Sequence, residues 1–300
     1  MTSRNIGRVS VILVSALFCA ALLSGCTGQS APEAVSAKPV FPGAAPLAHR
    51  HRNHSLTESP DKQLRVYAAQ RGDVTDLMLS RRTDGEGWSK PVVLNLPKRE
   101  TNTSPRFFSD GTLYYSSDAP HPDRPGRKDL NIWRVTHVDG VFGTPTVLPN
   151  SINTGSHEDT FAPLGAGRAV FSSTTLGGEG GFDLYVVEEN DGDWDVAPFP
   201  HNTAMADSHP VATKDGATLI WYGHLPSDKV YGAVDLFFSR LENGTWSEPK
   251  NLGPAINTAG IEYGAGLSVD DEALFFSRDG VLLEIKLEAA LGQAGYVTTE

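Results

Sequence analysis

The chain has 300 residues and carries 36 acidic against 25 basic side chains, a net charge of −11 that argues against nucleic acid or an anionic membrane surface as a partner. Both of its cysteines, Cys19 and Cys26, lie near the N-terminus, so the folded part contains no disulfide. Its stability must come from a large packed core, which the length permits.

Arg4 and Arg8 precede an apolar run over residues 9–23, which ends in Leu23-Ser24-Gly25-Cys26. A charged start, a short apolar run and small residues at a cut site describe a secretory signal, and the run falls short of the roughly 20 residues that span a bilayer. Leu-Ser-Gly-Cys resembles a bacterial lipobox. That resemblance implies a lipoprotein signal peptide over residues 1–25 and an acylated Cys26 that becomes the first residue of the mature chain. Thr27, rather than Asp, follows the cysteine, which implies the outer membrane, facing the periplasm. Loss of Arg4 and Arg8 moves the net charge to −13. Residues 26–60 are rich in Ala, Pro and Ser without a helical or strand period, and predict a lipidated, flexible tether. His49, His51 and His54 lie within it as a weak metal set, but Arg50 and Arg52 would repel a cation and no acid or thiol completes a site.

From residue 61 to residue 300 the chain repeats. An Asp-Leu pair recurs at Asp76, Asp129, Asp183 and Asp235, with spacings of 53, 54 and 52. Trp88, Phe142, Trp194 and Trp246 follow in turn, and the turns between are Asp84-Gly85, Asp139-Gly140, Asp191-Gly192 and Asn243-Gly244. An Asn-Thr pair closes each unit at Asn102, Asn153, Asn202 and Asn257. Short apolar runs separated by turn chemistry give four strands per unit, and a period near 50 residues with four strands predicts an all-β propeller of antiparallel blades. At roughly 52 residues per blade, the length after the tether predicts five. Blade one lacks an obvious inner strand and blade five a clear outer one. A chain end is expected to complete one sheet, with residues 296–299 a candidate last strand and 288–291 a short helical turn. The polar, Pro-rich loop at residues 121–128 is expected to project outward.

Ser104-Pro105, Ser109-Asp110-Gly111 and Leu113-Tyr114-Tyr115 resemble the repeat of TolB-type propellers, as do Gly178–Gly181 before Asp183-Leu184-Tyr185 and Gly244-Thr245-Trp246 before Asn251-Leu252-Gly253. The resemblance covers about residues 65–287. It implies an envelope-bound domain that acts as a binding platform, and it leaves the ligand open.

The repeated residues have structural roles first: the aspartates fix loops, the aromatics pack between blades and the asparagines form turns. Function is expected where the repeats differ at the same place. The starts of the inner strands carry Arg106, Glu158, Asp159, His209, Glu262 and Tyr263, which would converge on one channel mouth and bind a polar ligand such as an envelope protein, a peptide or a glycan. No cofactor is expected, with a structural cation in the acid-lined channel as the alternative. The rival reading is a five-bladed glycoside hydrolase with Asp159 and Glu262 as its carboxylate pair. Residues 239–246 resemble a sialidase Asp-box only loosely, because the acid and glycine are displaced. No G-x-S-x-G, H-E-x-x-H or phosphate loop occurs, and nothing in the sequence sets the oligomeric state.

Overall fold

In the computed structural model of the protein, residues 36–41, 51–84, 87–138, 140–174, 178, 180–225 and 230–295 are described. Cys26, His49, Gly85, Asp139 and residues 296–299 lie outside them.

Five four-stranded antiparallel sheets make a five-bladed β-propeller. Blade one is His51–Glu58, Leu64–Arg71, Val74–Arg81 and Val92–Val93, from the axis to the rim. Blade two is Asn102–Phe107, Leu113–Ser117, Asn131–Val135 and Thr146–Val147. Blade three is Glu158–Gly165, Arg168–Ser173, Asp183–Asn190 and Asp193–Pro198. Blade four is Ser208–Ala212, Thr218–Gly223 and Asp235–Glu242, edged by Thr245–Trp246 and Lys250–Asn251. Blade five is Glu262–Leu267, Ala273–Arg278 and Val281–Lys286, and its rim strand is Lys38–Pro39. The short helix Leu287–Gln293 follows.

The expected tether is therefore corrected. Two pieces of residues 26–60 belong to the propeller: Lys38 pairs with Glu284 on blade five, and His51–Glu58 is the missing inner strand of blade one. The N-terminal side of the chain thus closes the ring by supplying two neighbouring blades. Closure is tight, because a Cβ on Gly266 of blade five would lie 2.0 Å from the Leu56 carbonyl oxygen of blade one. Val40 is buried and Phe41 packs 5.3 Å from the Tyr67 ring. A soluble chain that starts at residue 42 should be about 2 kcal/mol less stable than one that starts at residue 27, because it exposes that apolar seam. Equal urea midpoints for the two would show that this strand does not hold the ring.

Two repeat landmarks also shift. Asp183 stands opposite Ser173 and Asp235 opposite Gly223, and the matching residue of blade two, opposite Ser117, is Asn131 rather than Asp129. Asn102-Thr103 lies inside an inner strand, at the place of Glu158-Asp159. The other three asparagines do more than turn the chain. Each accepts the backbone N–H of a third-strand residue and returns a bond to its carbonyl: Asn153 on Ile132 at 2.7 and 3.1 Å, Asn202 on Leu184 at 2.8 and 2.9 Å, and Asn257 on Leu236 at 2.8 and 2.8 Å. These pairs pin each crossover to the blade it leaves.

The core lies between blades. Phe161 of blade three stacks on Tyr114 of blade two at 5.1 Å and takes Trp194 of its own blade edge-on at 5.3 Å, Trp246 of blade four meets Phe199, which follows blade three, at 5.5 Å, and the Arg65 guanidinium of blade one lies over Trp88 at 4.4 Å and over Phe275 of blade five at 5.3 Å. The loop at 121–128 is mostly exposed and is held by hydrogen bonds: Arg99 donates to the Arg127 and Pro125 carbonyls, and Arg124 to Asn150 at 2.8 Å and the Asn153 carbonyl at 2.9 Å.

Candidate functional site at the propeller axis

Every inner strand carries the same defect. Its register shifts between His54 and Thr57, Thr103 and Arg106, Asp159 and Ala162, Ser208 and Val211, and Tyr263 and Gly266. One residue in each gap is left-handed: Ser55, Ser104, Thr160, His209 and Gly264, with φ of 57, 50, 47, 51 and 61°. Such a bulge bends the strand and re-aims its side chains.

The bulges gather His54, Arg106, Asp159, His209, Tyr222 and Tyr263. His209 Nε2 stands 3.7 Å from Asp159 Oδ2, and its ring lies 5.5 Å from His54, 5.2 Å from Tyr222 and 6.0 Å from Tyr263. His54 lies 5.3 Å from Tyr263, and its Nδ1 is 2.9 Å from Ser55 Oγ. Arg106 spans the axis. Its guanidinium donates to the carbonyls of Pro105 at 2.8 Å, Ala265 at 2.6 Å and Pro210 at 3.4 and 3.5 Å, tying blade two to blades four and five.

Burial sets the charges. It lowers the Arg106 pKa to about 10, still a cation at neutral pH and attracted by Asp159. It pushes Asp159 up, but His209 and bonds from Ser104, Ser116 and the Thr160 N–H outweigh that and hold the carboxylate ionised. His54 is pushed down to about 3 by burial and by His209, and His209 is lowered by burial and by Arg106. The cluster therefore holds Arg106 as a cation, Asp159 as an anion and His54 as a neutral imidazole at pH 7. The positive charge that faces Asp159 is a guanidinium, and among the described residues no three His, Cys, Asp or Glu side chains gather as a metal set.

Of the six expected site residues, Arg106, Asp159, His209 and Tyr263 come together and the two glutamates do not. Glu158 is fully buried and accepts from Thr154 Oγ1 at 2.5 Å and Ser173 Oγ at 3.2 Å. Glu262 is fully buried and accepts from Thr258 Oγ1 at 2.7 Å, Thr258 N–H at 3.2 Å and Arg278 Nε at 2.9 Å. Asp207 does the same with Thr203. Each acid follows its Thr by four positions, so these carboxylates brace the crossovers. Arg106 also lines a 280 Å³ cavity toward the far ends of the inner strands, with Thr57, Phe107, Val211 and Leu267 among its walls. Sequence reasoning missed His54 and Tyr222. Projecting the repeat one period back from Ser104 would have placed a strand over His54.

These features define a five-bladed propeller with an ionic, aromatic plug on its axis. The chain matches no protein-family model and none of the curated proteins. Among solved structures it is similar in fold to a thermostable family-43 glycoside hydrolase, at 12% identity and a TM-score of 0.52, covering 78% of this chain and 88% of that one. A glycosyl hydrolase from Bacteroides ovatus gives 11% identity and a TM-score of 0.51, covering 79% and 83%. TolB from Acinetobacter baumannii gives 12% identity and a TM-score of 0.46 over 80% of this chain, which spans 56% of that one. At these identities the similarity is one of fold alone.

Proposed function

We propose that the protein is an envelope-anchored, TolB-type lipoprotein, held through Cys26 at the outer membrane facing the periplasm, whose propeller binds a protein, peptide or cell-wall glycan without turning it over. The observation that carries this reading is the state of the acids. Glu262 is bonded by Thr258 and Arg278, Glu158 accepts from Thr154 and Ser173 through Oε1, and Asp159 is shared between Arg106 and His209. Hydrolysis of a glycosidic bond by the usual route needs two carboxyl groups flanking a substrate, one of them free to give up a proton. The Leu23–Cys26 box supports the anchor, and Cys26→Ser should release the protein from the membrane fraction.

The test for binding presents the soluble propeller and its Asp159→Asn variant to peptidoglycan fragments, polysaccharides and envelope peptides, with retention and product release both measured. Retention without product, weakened by Asp159→Asn, is the expected result. Glycan cleavage that disappears in the variant would establish the hydrolase instead.

A further inference from the structure

One cavity lies away from the axis. It is a 460 Å³ groove between blades two and three, within the roughly 300–1,000 Å³ range of ligand sites. Phe108 and Trp194 flank it, both half-buried, and Tyr114 lies between blade and groove. Beneath them the fully buried Phe161 is a common support: it stacks on Phe108 at 5.9 Å and on Tyr114 at 5.1 Å, and takes Trp194 edge-on at 5.3 Å. These aromatics are held in place yet keep surface on the groove. Around them stand Arg134 and Arg168 as donors, and Asp110 and Glu189 as acceptors. Asp110, Arg134 and Glu189 are exposed.

We propose that this groove binds an oligosaccharide built of pyranose rings. The argument is one of matched chemistry. A pyranose has a face of C–H groups, which carry slight positive charge and pack against the negative face of an aromatic ring. Its edge is a row of hydroxyls, each both donor and acceptor, which suits guanidinium and carboxylate groups set side by side. An apolar ligand would strip water from four charged groups without replacing it, and a ligand of one charge would meet a like charge on either wall. Pro163, Gly165 and Gly167, which line the same wall, are small or rigid and leave the ring faces uncovered. The site is separate from the axis and stands whether or not the axial cluster binds anything.

The test uses the whole propeller, with chitotetraose, cellotetraose and maltotetraose as probes. Binding is followed by calorimetry and by the indole N–H resonance of Trp194, assigned with Trp194→Phe. At least one probe should move that resonance, and Arg168→Ala and Glu189→Gln should each weaken its affinity about tenfold, the loss of one charged hydrogen bond. Glu189 is exposed and Arg168 is half-buried at the end of its strand, so the folded spectrum should persist. The proposal is overturned if no probe shifts the resonance at roughly 10 mM or if binding survives both groove variants.

Discussion

Arg106→Ala should destabilise the protein by about 3–5 kcal/mol, the usual result of removing one partner from a buried ionic network. The residue is 2% exposed. Its loss would leave the Ala265, Pro210 and Pro105 carbonyls short of donors, and Asp159 without the guanidinium that balances its charge. It would also uncouple blade two from blades four and five across the axis. Arg106→Met fills much of the same volume without charge, so it should recover only the packing part. Adding Asp159→Asn to Arg106→Met should recover more, because the second change removes the unbalanced carboxylate. Urea unfolding at pH 7 measures all three. A loss below about 1 kcal/mol for Arg106→Ala would mean that the bonds across the axis are not what holds the ring.

The second expectation concerns acid. His54 is lowered to about 3 in the folded state, against about 6.5 unfolded, so below pH 6.5 the unfolded chain binds the proton and the folded one resists it. Stability should fall as the pH drops from 8 to 5, by about 2 kcal/mol from His54 alone at pH 5. His209 is lowered too and acts in the same direction. Glu158, Glu262 and Asp207 have pKa values raised by burial, so their contribution has the opposite sign, but it is common to the protein and its variant. His54→Gln should therefore flatten the pH dependence relative to the parent between pH 8 and 5. Parallel stability curves for the two would show that His54 protonates freely in the folded ring. The groups that face it are His209, Asp159, Arg106, Arg52 and Tyr263, and none supplies a carboxylate that is free of another cation.

The features written in short-range chemistry were those the sequence by itself determined. Asp191-Gly192 and Asn243-Gly244 each put two successive residues at positive φ, 51 and 85° and 51 and 80°, which is what a tight hairpin requires. Repeated about every 52 residues with apolar runs between, such turns are enough to predict four strands per blade, five blades and aromatics packed between them. Tertiary structure alone decided the rest. Strands alternate with a period of two, so one extra residue at a bulge reverses which side chains face the axis. Ahead of the bulge, that alternation sends Asp159 and Tyr263 to the axis and their neighbours Glu158 and Glu262 to the crossovers. The inner strand of blade one has Leu56 as its one large apolar side chain and is otherwise polar, and the closing strand is the two residues Lys38–Pro39. Neither is long or apolar enough to show a period, and the pairing of Lys38–Pro39 is set by a ring that must meet itself some 250 residues later, at Leu283 and Glu284. The groove beside Trp194 was hidden for the same reason: its walls come from two blades, and only their packing over Phe161 brings the arginines, acids and aromatic faces together.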